Sequence, residues 1–134
     1  MEGKNVNSSS DTIGNKSIKK CSCMGYNLDK LIQPLVLEIL MEEKLYGYAI
    51  LKKIEERWGM NGDIPDSTGL YRTLGNMQKQ EILTFEWETQ ETGPAKKVYS
   101  ITEEGKKCYR SWIETLRSYY EYIGSIIEAG ENMS

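Results

Sequence analysis

The 134-residue chain is 39% hydrophobic and 28% charged, as expected for one soluble domain with a tail, and its net charge of −3 does not by itself favour nucleic-acid binding. The chain has no histidine, which disfavours an enzyme. Its three cysteines are too few and odd in number for a disulfide framework. No apolar run reaches the length of about 20 residues that a membrane span needs. We therefore expect a cytoplasmic protein without catalytic activity, cofactor or metal.

The N-terminal residues 1–25 are rich in Ser, Asn, Gly and Lys, and they show neither an apolar period nor the apolar core of a secretory signal. We expect a disordered tail here, followed by a domain over residues 26–102. Cys21 and Cys23 could bind a metal or sense oxidation. A structural zinc site needs four ligands, and only Cys108 remains in the same chain, so four thiolates would require a site shared across a dimer. We therefore expect these cysteines to be inert or merely oxidisable.

Three helices are predicted in the first half of the domain. A dense apolar stretch predicts the first over about 34–43, with Pro34 in its first turn, and leaves open a helical turn before it. The second is predicted over about 46–58, after a break at 43–45. Asp66 and Ser67 are good N-caps for a third helix over about 67–80. Its apolar stripe comprises Leu70, Leu74 and Met77, and its opposite face carries Thr68, Arg72, Gly75 and Lys79, with Tyr71 on the flank.

A β-hairpin and a long helix are predicted to follow. Residues 84–90 and 96–101 alternate as strands do, and residues 92–95 form a turn sequence (TGPA) between them. Thr102 is a good cap for a final helix, in which apolar residues recur every seven positions. A partner helix is the natural acceptor for so wide a stripe, so the region 103–134 is predicted to be a dimerisation helix. The predicted interface residues are Tyr109, Trp112, Ile113, Leu116, Tyr119, Tyr120 and Ile123.

The order of these elements predicts a mainly α (α+β) fold, a winged helix-turn-helix with a C-terminal dimerisation helix. In such a fold the third helix offers its polar face to a DNA major groove, and the hairpin tip reaches a phosphate or the minor groove. Segment 67–80 carries two basic residues and no acid, which favours this orientation. The residues expected to contact DNA on these grounds are Ser67, Thr68, Arg72, Lys79, Lys96 and Lys97.

Five short motifs carry a resemblance to a known family. They are LYGY at 45–48, GLYRTL at 69–74, EW at 86–87, GPAKKVY at 93–99 and TEEG at 102–105. Their order and spacing resemble the PadR family of transcriptional regulators over about residues 28–117. The segments CSC at 21–23 and LDKL at 28–31 are also similar to a subgroup labelled poly-β-hydroxybutyrate-responsive repressors.

The resemblance implies a homodimeric repressor on a palindromic operator in double-stranded DNA, often relieved by a small aromatic effector. It also implies that Tyr71 touches DNA and that Tyr48 contacts the DNA backbone. The chain departs from the family pattern in three places. Tyr46 replaces the usual histidine, Gly75 and Asn76 stand where relatives carry basic residues, and the turn at 80–82 lacks its usual glycine.

Other interpretations stay open beside these. Tyr71 could pack at the edge of the core, the basic residues could be ordinary solvated charges, and Trp112 or Tyr119 could line a ligand site. The alternative function is a winged-helix protein-interaction module without DNA binding, which the acidic balance and Gly75–Asn76 favour. An enzyme is disfavoured because the chain has no nucleophile elbow, phosphate loop or clustered carboxylates.

Overall fold

Three helices form the first part of the fold: α1 (Ile32–Leu40), α2 (Gly47–Trp58) and α3 (Ser67–Lys79). The computed structural model describes residues 31–59 and 65–133. The predicted tail, Cys21, Cys23 and most of the loop before α3 lie outside the described residues. Helix α1 begins two residues before the predicted start at Pro34 and ends at Leu40, three residues before the predicted end. Pro34 fits because the backbone nitrogens of a first helical turn have no intrahelical partner.

A small antiparallel sheet packs beside the helices. It contains β1 (Leu45–Tyr46), β2 (Leu83–Glu88) and β3 (Lys96–Ile101) in the order β1-β3-β2. The hairpin β2–β3 was predicted. Strand β2 begins one residue before the predicted start at residue 84 and ends two residues before the predicted end at residue 90. Strand β1 was not predicted, because the sequence indicated only a break before the second helix. It forms by pairing with β3, with Leu45 opposite Tyr99 and Tyr46 opposite Val98.

The core lies between α1, α2, α3, the sheet and the start of the last helix, α4 (Glu103–Asn132). The apolar stripe of α3 is buried as predicted, and α1 contacts every other helix. The buried apolar side chains are Val36, Leu37, Ile39, Leu40, Ile50, Ile54, Leu70, Leu74, Met77, Ile82, Leu83, Tyr99, Cys108 and Trp112. This arrangement confirms the winged helix-turn-helix fold with a C-terminal helix.

Helix α4 begins where the sequence predicted. The Thr102 hydroxyl accepts a hydrogen bond from the Gly105 N–H at 2.9 Å, and the same hydroxyl donates to the Glu81 carbonyl at 2.7 Å. Gly105 lies against β3, because a Cβ atom there would be 2.7 Å from the Ile101 Cγ1. The helix packs on α1 and β3 only through its first half, and every residue from Arg117 to Met133 is exposed. Within the described ranges, no helix combines the length and apolar character needed to cross a membrane.

Candidate nucleic-acid interface

Helix α3 presents a polar face to solvent because its apolar stripe fixes its orientation. Asp66 is the N-cap, and its Oδ1 accepts a hydrogen bond from the Gly69 N–H at 2.7 Å. Leu70, Leu74 and Met77 are fully buried. The predicted contact residues on this helix are all exposed: Ser67, Thr68, Tyr71, Arg72 and Lys79.

An open cleft of about 460 Å³ lies between the start of α2, α3 and β3. It brings together four of the eight predicted DNA-contacting residues, from three separate parts of the chain. The lining residues are Tyr46, Gly47, Tyr48, Tyr71, Gly75, Lys96, Lys97 and Tyr99. The other four predicted residues, Ser67, Thr68, Arg72 and Lys79, lie on the exposed surface of α3 outside this lining.

Tyr71 connects α3 to the start of α2. Its ring lies against Gly47, and its side chain is 47% exposed, so it is neither a core residue nor a freely solvated one. Tyr99 lies behind it in the sheet and is nearly fully buried. Burial, and secondly the nearby Tyr71, raise the pKa of Tyr99 above its ordinary value.

The wing carries an aromatic cluster around Lys97. The Lys97 ammonium lies 4.4 Å from the ring centroid of Phe85 and 5.6 Å from that of Trp87. These two rings pack edge to face with centroids 5.7 Å apart. Trp87 is nevertheless 61% exposed, because β2 extends beyond the core at this point. The sequence predicted the strand that carries Phe85 and Trp87, but it gave no signal that Trp87 is an exposed candidate for a DNA contact.

Tyr46 was also missed, since only its departure from the family pattern was noted. Its hydroxyl donates a hydrogen bond to Glu88 Oε1 and accepts one from the Gln90 side-chain amide at 3.4 Å. The carboxylate of Glu88 raises the pKa of Tyr46, mainly through this hydrogen bond. The Lys96 ammonium lies 5.2 Å from the centroid of the same ring.

Ion pairing divides the basic residues into two groups. Those of α2 and of the start of α4 have carboxylate partners, in the pairs Lys52–Glu55, Lys53–Glu43, Arg57–Glu42, Lys106–Glu103 and Lys107–Glu104. Within the part of the chain that the structure describes, no carboxylate lies within 4.0 Å of the basic groups of Arg72, Lys79, Lys96 and Lys97. The same is true of Lys44, Arg110 and Arg117, which lie outside the cleft. The cations of α3 and of the wing are therefore available to an external anion.

The residues predicted at a dimer interface fall into three classes. Ile113, Tyr119, Tyr120 and Ile123 are exposed, and Tyr109 and Leu116 are half-buried against the core. Trp112 differs from them, because it is fully buried inside its own chain. Its indole N–H donates to Gln33 Oε1 at 2.9 Å, which ties α4 to α1. The structure thus gives Trp112 a core position and leaves it no exposed surface for a partner.

Comparison with known proteins identifies related sequences. The model of the transcriptional regulator PadR-like family matches residues 36–111, which run from within α1 through β3 to the start of α4. The chain is 32% identical over 96 residues to the transcriptional regulator YqjI of Escherichia coli, an alignment that covers 71% of the chain and 42% of YqjI.

Solved structures show the same fold. Bacillus subtilis PadR in complex with operator DNA is 25% identical, with a TM-score of 0.57 over 62% of this chain and 46% of that one. A transcriptional regulator from Clostridium thermocellum is 26% identical, with a TM-score of 0.63 over 70% of this chain and 87% of that one. The chain thus spans less than half the length of YqjI and of the Bacillus subtilis protein.

Proposed function

Because the chain belongs to the PadR-like family of transcriptional regulators, we propose that it is a sequence-specific DNA-binding repressor that acts as a homodimer on a palindromic operator. One observation carries this proposal. The exposed face of α3 holds basic residues and no acid, and it adjoins a cleft that also contains both wing lysines. The crystallised Bacillus subtilis relative, which is bound to operator DNA, supports the same interpretation.

Helix α3 supplies the base-reading surface in this proposal. A major groove of about 12 Å admits one helix, and the side chains at the start of that helix reach the base edges. Ser67, Thr68 and Tyr71 lie at the start of α3, exposed, and Arg72 follows them. We assign Arg72 a bidentate contact with guanine, which its planar guanidinium group allows, and we assign Lys79, the last residue of α3, a phosphate contact.

The start of α2 and the wing supply phosphate contacts. Tyr46 is the N-cap of α2, and its side chain caps no backbone N–H. The first two residues of this helix, Gly47 and Tyr48, line the cleft. Helix N-termini and lysine ammonium groups both bind phosphates. Lys96 and Lys97 of the wing also line the cleft. A DNA backbone that follows the cleft would therefore meet residues of both the start of α2 and the wing.

Helix α4 supplies the proposed dimer contact. It is 30 residues long, or about 45 Å, and every residue of its second half is exposed. Its apolar side chains recur at heptad spacing along this exposed half, in Tyr119, Tyr120, Ile123, Ile126 and Ile127. A two-fold dimer built on this stripe would present two copies of α3 to a palindrome.

The test is a binding titration on DNA selected from a random pool with the wild-type protein. We expect affinity to fall steeply as salt rises, because the contacts are largely ionic. The double variant R72A/K79A is expected to bind more weakly. The slope of the logarithm of its binding constant against the logarithm of the salt concentration should become shallower by about 0.9 for each phosphate that is no longer neutralised. The control K106A/K107A removes the same charge from residues paired with carboxylates, and it should bind like the wild type.

Two outcomes would contradict the proposal. If the dimeric wild-type protein selects no DNA at low salt, the protein-interaction module becomes the better interpretation. If R72A/K79A and K106A/K107A bind equally well, α3 does not carry the contact. The proposal also includes repression, the palindromic operator, a small aromatic effector and a cytoplasmic location. It further divides the chain into a DNA-binding domain over residues 26–102 and a dimerisation helix over residues 103–134.

A further inference from the structure

The strands of the wing place two opposite charges side by side without an ion pair between them. Glu88 of β2 is the direct cross-strand partner of Lys96 of β3. Opposite charges in such positions normally pair and stabilise the sheet. Here no carboxylate among the described residues lies within 4.0 Å of the Lys96 ammonium. Glu88 instead accepts a hydrogen bond from the Tyr46 hydroxyl.

The sheet register explains how Tyr46 reaches both charges. Tyr46 of β1 lies opposite Val98 of β3, and Lys96 is two residues from Val98 along the same strand. Since side chains alternate along a strand, Tyr46, Lys96 and Glu88 share one face of the sheet. The Tyr46 ring lies under the Lys96 ammonium, 5.2 Å from it, and its hydroxyl faces Glu88. Gln90 donates to the same hydroxyl at 3.4 Å, which helps to fix the ring.

We propose that Tyr46 is a positioning residue for DNA binding, which holds the Glu88 carboxylate away from Lys96 and so keeps the Lys96 ammonium available for a DNA phosphate. The inference rests on the proposed DNA binding. A carboxylate paired with Lys96 would have to be displaced by the incoming phosphate, or would repel it. The Tyr46 hydroxyl prevents that pairing, while its ring still contacts the ammonium through a cation–π interaction.

The Tyr46 hydroxyl has one hydrogen, and Glu88 accepts it. This geometry favours an indirect role over a hydrogen bond from Tyr46 to DNA. The two roles differ in a measurable way. An indirect role disappears when Glu88 loses its charge, whereas a direct contact to DNA does not depend on Glu88.

The experiment compares wild type, Y46F, E88Q and Y46F/E88Q in titrations with the selected DNA duplex at several salt concentrations. Thermal unfolding confirms that each variant is folded. Y46F keeps the ring but releases Glu88, so we expect weaker binding and a salt slope lower by about 0.9 per protomer, as expected when one phosphate is no longer neutralised. E88Q is expected to bind as tightly as wild type or more tightly. Y46F/E88Q should bind as E88Q does, because a neutral amide cannot neutralise Lys96.

Three outcomes overturn the inference. If Y46F binds DNA with the affinity and the salt dependence of the wild type, the hydrogen bond from Tyr46 to Glu88 has no effect on DNA binding. If Y46F/E88Q stays as weak as Y46F, the hydroxyl acts on DNA or on the shape of the wing directly. If the wild type binds no DNA, the proposed function fails together with this inference, whereas the first two outcomes leave DNA binding intact.

Discussion

The ring of Tyr71 lies directly against the backbone of Gly47. A Cβ atom added at residue 47 would be 2.9 Å from the Tyr71 Cζ and 3.0 Å from its hydroxyl oxygen, so any larger residue would displace the ring. Gly47 is the first residue of α2, and Tyr71 belongs to α3. The contact therefore fixes the position of Tyr71, an exposed residue of the proposed base-reading helix α3, relative to the start of α2, which is proposed to bind phosphate.

The substitution Gly47→Ala is expected to weaken DNA binding while leaving the fold intact. The atoms in the way belong to the far end of a side chain that is half exposed, so the ring can move outward at little cost in stability. Alanine is also a better helix former than glycine, which offsets part of that cost. Binding titrations and urea unfolding of the same preparations measure the two effects separately.

The control for this prediction is Gly124→Ala in α4, where an added Cβ meets nothing within 4 Å. This variant should gain about 0.5–1 kcal/mol of stability and bind DNA as the wild type does. Wild-type affinity of Gly47→Ala would mean that the position of Tyr71 does not matter for binding.

Local patterns in the sequence were enough to predict most of the elements. The apolar stripe of α3, the alternation of β2 and β3 and the cap at Thr102 each depend on residues a few positions apart, and the structure confirms them. Strand β1 could not be predicted in this way. Two residues show no alternation, and they become a strand only because β3, about 50 positions away, pairs with them.

Long-range contacts explain what the sequence could not show about the site. The bond between Tyr46 and Glu88 joins residues 42 positions apart, and no local pattern indicates it. Trp112 illustrates a different limit. Its heptad spacing correctly indicates a buried helix face, but a period reports only that a face is covered, and the cover is the chain's own α1.

The turn after α3 offers a stabilising substitution. Glu81 has a φ of 67°, in the left-handed region that costs residues other than glycine roughly 1–2 kcal/mol. Glu81→Gly is expected to raise stability by up to about 1 kcal/mol, since the greater chain entropy of unfolded glycine offsets part of the gain. The bond from Thr102 is kept because its acceptor is the backbone carbonyl. Urea unfolding measures the change.

A glycine one position earlier provides the matched control for that turn. Gln80 has a φ of −81°, an ordinary right-handed value, so Gln80→Gly should lose about 0.5–1 kcal/mol instead. Equal effects from the two substitutions would refute the role assigned to the backbone at Glu81.

The pair Glu42–Arg57 predicts a dependence of stability on pH. Arg57 lowers the pKa of Glu42 below its ordinary 4.5, first through their hydrogen bond, which is 2.7 Å long, and then through its charge. A carboxyl group with a lowered pKa in the folded state contributes stability above its unfolded pKa and loses it as the pH falls through the folded value. Glu42→Gln should therefore be less stable than wild type at pH 7, with a difference that shrinks below pH 4.5.

Urea unfolding at a series of pH values measures this difference. Glu86→Gln is the control, because Glu86 is exposed and forms no ion pair with the residues that the structure describes. The prediction would be contradicted if the difference in the free energy of unfolding between Glu42→Gln and wild type stayed constant from pH 7 to below pH 4.5.

The exposed half of α4 gives the last prediction, on the proposed dimer. Ile123 is 41% exposed in a single chain and lies in the middle of the apolar stripe. Ile123→Asp should lower the dimer fraction, because it would bury an unpaired carboxylate between two helices. It should leave the protomer folded, because Ile123 lies outside the core cluster. Sedimentation across a concentration series measures the mass, and circular dichroism checks the fold.

Ser118→Asp is the matched control, since it introduces the same side chain into the same helix. Five residues before Ile123, Ser118 is turned about 140° away from the stripe, so the new carboxylate meets solvent.

Trp112→Phe should behave in a third way, lowering the stability of the protomer itself, because the indole is part of the core and bonded to Gln33. An unchanged mass of Ile123→Asp, or equal losses of dimer in Ile123→Asp and Ser118→Asp, would show that the stripe on α4 is not the contact between protomers.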